Sequence, residues 1–207
     1  MSCGMKTKER ILLTSVELFN LHGVNPITTN HIAKELKMSP GNLYFHYRNK
    51  EEIIAELFKL MCKDTYKVWA VKRIKSTSPI SFIEENFELY WKYRFFHREM
   101  YSLRRKDPQL SLLWRQHLRK MMKLMVVLYH RWVNKGYMRS IENLSEMQFI
   151  AETTLAMATT YLQFFESSER QPGKTSIERG KRHVARILWP NTIGETKTHF
   201  EKFIHQD

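Results

Sequence analysis

Residues 28–52 read TTNHIAKELKMSPGNLYFHYRNKEE, and the order of residue types in this stretch decides the fold. Ile32, Ala33 and Leu36 recur at helical spacing and give a first short helix one apolar face. Ala33 is small enough for a second helix to cross close to it, as a helix-turn-helix requires. Met38 puts an apolar plug in the turn, Ser39 is a ready N-cap, and Pro40 suits the first helical position, where its missing N–H costs nothing. The helix that follows is unsuited to a core, because Gly41, Asn42, Tyr44, Phe45 and His46 surround a single clearly apolar residue, Leu43. Asn49, with Glu52 three residues on, has the capping-box pattern that opens another helix.

Outward from this stretch the pattern stays helical. Ile11, Leu12, Val16, Leu18 and Phe19 predict a helix over about 6–22, stopped by Gly23, ahead of the short helices over 29–37 and 40–46. Ile53, Ile54, Leu57, Phe58 and Met61 predict a fourth helix from 50 to about 75, followed by a loop over 76–79. A fifth helix carries Phe82, Phe87, Leu89, Tyr90, Trp91, Tyr93 and Phe96 and passes into a shorter one over 99–106. Asp107-Pro108 starts a helix that runs to about 135, with Gly136 at its end. Ser145 is the expected cap of the next, to about 167, which Gln171, Pro172 and Gly173 break. A helix with Ile177, Val184, Ile187 and Leu188 precedes Pro190, and a short helix closes the chain. With only 7 Gly and 6 Pro and few β-alternations, the expected fold class is all-α.

Composition narrows the function. A chain of 207 residues can bury a real core as one large or two small domains. No apolar run approaches the ~20 residues of a membrane-spanning helix; the longest candidate, 121–129, is interrupted by Lys123. Thr14, Ser15 and Glu17 break any signal-peptide core near the N-terminus, so a cytoplasmic location is expected. Cys3 and Cys62 lie far apart and suggest neither a disulfide nor a zinc site. Nine histidines are scattered without ligand spacing, and GxSxG, HExxH, Walker A and GxGxxG strings are absent, so neither an enzyme nor a cofactor is expected.

The net charge of +13 points to nucleic acid, but its distribution is uneven. Residues 1–60 hold eight Lys/Arg against six Asp/Glu, whereas residues 84–139 hold thirteen against five. Most of the basic excess therefore lies outside the helix-turn-helix. Three readings of it stand: long-range attraction to DNA, a negatively charged effector or partner, or an acidic protein or membrane surface.

From Thr28-Thr29 and Ile32-Ala33 through SPGNLYFHYRNKEEI, over about residues 6–60, the chain resembles the DNA-binding domain of the TetR/AcrR family of bacterial regulators. The segment YRFFHREMYSLRRKDPQL (93–110) also resembles one branch of that superfamily. The resemblance implies a three-helix DNA-binding domain at 1–50 and a helical ligand-binding and dimerisation domain at 51–207, joined by the helix starting near 50. It further implies a homodimer that represses from a double-stranded operator and is released by a small-molecule effector. Lys37 stands where the family usually has Gly, so a left-handed backbone at a cost of roughly 1 kcal/mol is expected there. Ser39, Pro40, Gly41 and Asn42 fall at the recognition-helix start, with Asn42 suited to bidentate contact with adenine. Tyr44, His46, Lys50 and Thr29 match phosphate contacts, Asn30 a base contact, and Phe45 a sugar or thymine-methyl contact. Tyr47 is expected to pack inside the domain.

In the body, Trp91, Phe95, Trp114, Met121, Met125, Tyr129, Phe149 and Tyr161 are candidate walls of an effector cavity, although the same spacing also serves an ordinary core. Arg94, His97, Arg98, Arg104 and Arg105 stand beside them; if one faces inward, the apolar effector would carry a carboxylate or phosphate. The stripe of Ala151, Leu155, Ala158 and Leu162 is the expected dimer contact, with Arg179, Lys181, Arg182 and Arg186 opposite Glu152 and Glu166 or simply solvated. The competing class is a basic helical protein that coats DNA or an anionic membrane without sequence preference.

Overall fold

The computed structural model describes residues 6–70, 78–168 and 174–205, apart from the side chains of 165–168 and 174. The expected extension of the fourth helix to 75, the loop residues Ser76 and Thr77, the break at 171–173 and the Glu166 side chain lie outside the described residues. Ten α-helices account for most of the rest: α1 (Thr7–His22), α2 (Thr29–Glu35), α3 (Pro40–His46), α4 (Lys50–Val68), α5 (Pro79–Lys92), α6 (Arg94–Lys106), α7 (Pro108–Asn134), α8 (Leu144–Ser168), α9 (Lys174–Leu188) and α10 (Gly194–Ile204). Among the described residues the only strand-like pairing is an isolated antiparallel bridge between Met138 and Thr192.

The helix ends follow local chemistry. Gly23 closes α1 with φ +80°, a conformation that costs glycine little. The Asn49 side chain accepts from the Glu52 N–H at 2.8 Å, and the Glu52 carboxylate accepts from the Arg48 N–H at 2.7 Å, which fixes the start of α4. Asp107 caps α7 by accepting from the Gln109 and Leu110 N–H groups. Two expectations shift. The fifth predicted helix breaks at Tyr93, so Phe96 opens α6 rather than ending α5. Asn143, not Ser145, caps α8, accepting from both the N–H and the hydroxyl of Ser145.

The chain divides into two compact units. The first contains the described residues up to Lys63 together with Lys92–Leu112. Its core joins α1, α4 and α6 through Phe19 against Phe95, with ring centroids 5.4 Å apart, and Phe58 edge-on to Phe96 at 5.6 Å. The head therefore packs beyond the residue-50 boundary that the motif alone suggests, because Leu57 and Phe58 are buried in the same core as the start of α6. The second unit holds the described parts of Asp64–Trp91 and Leu113–Asp207, with α9 packed along α8 and against α10. Gly180 on α9 permits that approach: a Cβ there would stand 2.5 Å from Tyr161 Cδ2 and 2.6 Å from Phe87 Cε1.

Candidate functional site

In the head, α2 and α3 meet across a tight turn at which Lys37 takes φ +53°, the left-handed conformation expected of it. The turn is closed by the Met38 N–H donating to the Ala33 carbonyl at 3.0 Å. Ser39 then accepts from the Asn42 N–H at 3.2 Å, and Pro40 occupies the first helical turn. Along α3 only Leu43 is buried. Asn42 is exposed, Tyr44 is half-exposed, and Phe45 is 84% exposed with its ring edge-on to His46 at 5.2 Å. A Cβ at Gly41 would meet nothing within 4 Å, so the start of α3 presents bare backbone on an open surface. Three exposed groups at spacing 41, 42 and 45 thus share one face of a helix too short to bury anything but its anchor.

Thr29 and Lys50 stand differently from the sequence expectation. Thr29 is buried at the first turn of α2, and its Oγ1 lies 2.9 Å from Tyr44 Oη. Its hydroxyl therefore orients Tyr44 rather than standing out alone. The Lys50 ammonium donates to the carbonyls of Val24 at 2.8 Å, Ile27 at 2.8 Å and Asn25 at 3.3 Å. All three N–H bonds of the ammonium have carbonyl partners, so Lys50 ties the α1–α2 connection to α4 instead of reaching outward as a phosphate contact. Burial pulls its pKa down. Exposed cations nearby are Lys34, Lys37 and Arg48. Tyr47 packs inside, 3% exposed, and burial followed by Glu56 and Glu52 pushes its phenol up to about 12.

Within the same unit, α6 grips the end of α1. Asn20 donates to the Lys92 carbonyl at 2.9 Å and accepts from the Phe95 N–H at 3.1 Å. Arg98 donates to the Asn20 carbonyl at 2.9 Å, and Glu99 accepts from the Val24 N–H at 2.9 Å. No periodicity marked Asn20; its role depends on a partner more than 70 residues away.

The second unit contains an apolar cavity of about 30 Å³. Of the eight residues expected to line it, only Met125 does so. Phe95 belongs to the head core, and Phe149 is 67% exposed on the outer face of α8. Met121, Tyr129 and Tyr161 are buried core residues, as is Trp114, while Trp91 is half-buried. Periodicity marked them as inward-facing but could not say which faces meet a gap. The wall instead comes from Trp69, Phe82, Asn86, Tyr90, Trp132 and Thr154, among others. None of the cations in 94–105 lines it. Among the described residues no group of side chains could hold a metal ion, and no helix is long and apolar enough to cross a membrane.

The outer face of α8 also differs from expectation. Ala151, Leu155, Ala158 and Leu162 are buried inside the unit. The exposed stripe is Phe149, Glu152, Ala156, Thr160 and Phe164, with both phenylalanines 67% exposed. Along the helices themselves, Lys181 bonds Glu178 within α9, and Glu152 accepts from Gln148 within α8.

Two family profiles cover this architecture. The one described as "Bacterial regulatory proteins, tetR family" matches residues 11–57, and the one described as "Bacterial transcriptional repressor" matches residues 51–200. The chain belongs to the TetR family. Its fold is all-α with a helix-turn-helix near the N-terminal end, and the family it belongs to is one of bacterial transcriptional repressors. A TetR-family regulator from Marinobacter aquaeolei VT8 superposes with a TM-score of 0.83 at 29% identity, over 96% of this chain and 99% of that one. The HTH-type regulator QacR of Staphylococcus aureus is 34% identical over 86 residues, 42% of this chain and 44% of QacR. The chain thus spans less than half the length of the curated relatives it matches. A regulator from Saccharomonospora viridis, solved in complex with choline, shares the TetR fold at 15% identity and a TM-score of 0.69 over 90% of this chain.

Proposed function

We propose that this TetR-family chain acts as a homodimer that reads a specific operator through the start of α3 and leaves it when a small molecule enters the body cavity. One observation carries the reading: Asn42 and Phe45 stand exposed beside Gly41 on a helix whose only buried residue is Leu43. A helix so built has no structural use for those side chains, and in a major groove Asn42 can pair with adenine while Phe45 meets a thymine methyl. Pro40 and Ser39 set the helix start against the backbone, and Tyr44, held by Thr29, directs its hydroxyl to a phosphate with His46. Asn30, exposed on the first turn of α2, is a second base-reading candidate.

The Phe149–Phe164 stripe on α8 is the proposed contact with a second copy, which would place two heads on half-sites about one helical turn, ~34–36 Å, apart. Release is a population shift. Tyr90 in the cavity wall and Lys92, whose carbonyl Asn20 holds, are two residues apart on α5.

Selection of bound sequences from a random pool, followed by footprinting against excess competitor DNA, tests the operator reading. A two-fold related pair of half-sites is the expected outcome. Binding that random competitor abolishes equally at every sequence sinks it in favour of a non-specific DNA coat. Sedimentation of the wild type and of Phe149→Glu tests the α8 contact, with a dimer expected to become a monomer.

A further inference from the structure

Among the described residues, the body cavity has no ionisable wall other than the phenol of Tyr90, which burial keeps protonated far above neutral pH. Among the described residues, no Lys, Arg, His, Asp or Glu lines it. A charged molecule entering it would lose its hydration with nothing to pair with, a cost that sets neutral ligands apart from ions.

The polar groups at the wall sort into satisfied and unsatisfied. Asn86 accepts from Trp69 Nε1 at 2.7 Å and donates to the Phe82 carbonyl at 2.7 Å, so it is already engaged. Thr154 and Trp132 are not. Thr154 is 4% exposed and Trp132 1%, and among the described residues neither Thr154 Oγ1 nor Trp132 Nε1 has a hydrogen-bond partner. Further along α8, Thr159 and Thr160 turn their hydroxyls back to helix carbonyls, each at 2.7 Å. Thr154, which lines the cavity, has the same local option and does not take it. Buried polar groups are rarely left this way without a use.

The remaining wall is ring-rich. Trp69 is edge-on to Phe82 at 4.8 Å, and Phe82 edge-on to Trp132 at 5.7 Å, an arrangement that suits another ring. Met125 supplies a flexible side chain that can yield to one. A volume of about 30 Å³ is smaller than any aromatic ring, so a ligand must displace wall side chains as it enters. That displacement is the differential interaction that a population shift requires.

We infer that the effector is a small uncharged aromatic molecule carrying one hydroxyl or carbonyl, its polar group taken by Thr154 and Trp132 and its ring by Phe82, Trp69 and Met125. This rests on the reading of the cavity as the effector site. The test uses the full chain with three ring probes of matched size, phenol, benzoate and benzylammonium, plus benzene, read by titration calorimetry and by tryptophan fluorescence.

Phenol is expected to bind at least tenfold more tightly than either ion, and Thr154→Val to weaken phenol by about 3–10-fold, the worth of one hydrogen bond, while leaving benzene unchanged. Ala158→Phe, which fills the cavity, is expected to abolish binding of both neutral probes; thermal melting confirms that the variant is folded. Equal or tighter binding of an ion, itself lost in Ala158→Phe, overturns the neutral class and leaves the site standing. Phenol binding that survives a folded Ala158→Phe overturns the site. Thr154→Val without effect on phenol overturns the assigned polar contact, and failure of all four probes to bind overturns the proposal as a whole.

Discussion

The Lys50 ammonium donates to the Val24 carbonyl at 2.8 Å, across the 26 residues that separate α4 from the end of α1. With Ile27 and Asn25 as further acceptors, one side chain satisfies three carbonyls of the connection between α1 and α2. Lys50→Met should therefore lower the stability of the head by about 1.5–3 kcal/mol, the range for hydrogen bonds to a charged donor. The salt dependence of DNA binding should stay unchanged, because no phosphate contact is lost. Urea unfolding followed by gel shifts at several salt concentrations checks both halves. A shallower salt slope at unchanged stability would return Lys50 to the phosphate backbone.

Asn42 and Arg48 separate base reading from backbone attraction. Asn42→Ala should cost about 1–3 kcal/mol on the preferred site and relax preference at one base pair. Arg48 is exposed beside the recognition helix, and its replacement by Ala should weaken all sequences alike and reduce the salt slope by about 1. Competition binding against a panel of single-base operator variants distinguishes the two patterns. Asn42→Ala with an unaltered preference would remove that residue from the reading surface.

Tyr47 gives the head an alkaline limit. Its folded pKa, raised to about 12, exceeds the unfolded value of 10.0, so the unfolded state loses its proton first. The associated stability is fully present below pH 10 and is lost as pH rises towards 12, by at most about 1.4 kcal/mol per pH unit. Melting temperatures measured between pH 9 and 12 should fall less steeply for Tyr47→Phe than for the wild type. Parallel curves would show that the phenol does not titrate with unfolding.

Gly180→Ala should destabilise the second unit. The added methyl would lie 2.5 Å from Tyr161, and the Phe87 and Tyr161 rings are packed 4.7 Å apart with almost no exposure, so neither can retreat without moving a core neighbour. A loss of about 1–3 kcal/mol is expected from such overpacking. Calorimetric melting measures it, and a variant as stable as the wild type would mean that α8 and α9 separate easily.

The sequence by itself determined the helix-turn-helix, its caps and the all-α class, because these depend on residues within one or two turns of each other; the left-handed Lys37 followed from the family resemblance. Ser39 with Pro40, Asn49 with Glu52 and Leu43 among polar neighbours carry their geometry in their order. It also placed Tyr47 inside the head, since an aromatic at the end of a short helix has little else to cover. Tertiary structure alone decided the rest. Lys50 turned inward because folding brings three unsatisfied carbonyls from α1–α2 within reach, 23–26 residues away in sequence. Asn20 acquired its role from a helix beginning at Arg94. The cavity fell among Trp69, Asn86 and Thr154 rather than around Phe95 and Phe149, because a helical period states that a side chain faces inward or outward. Whether an inward face meets another side chain or a gap depends on how four helices, α5, α7, α8 and α9, cross, and no local pattern records that.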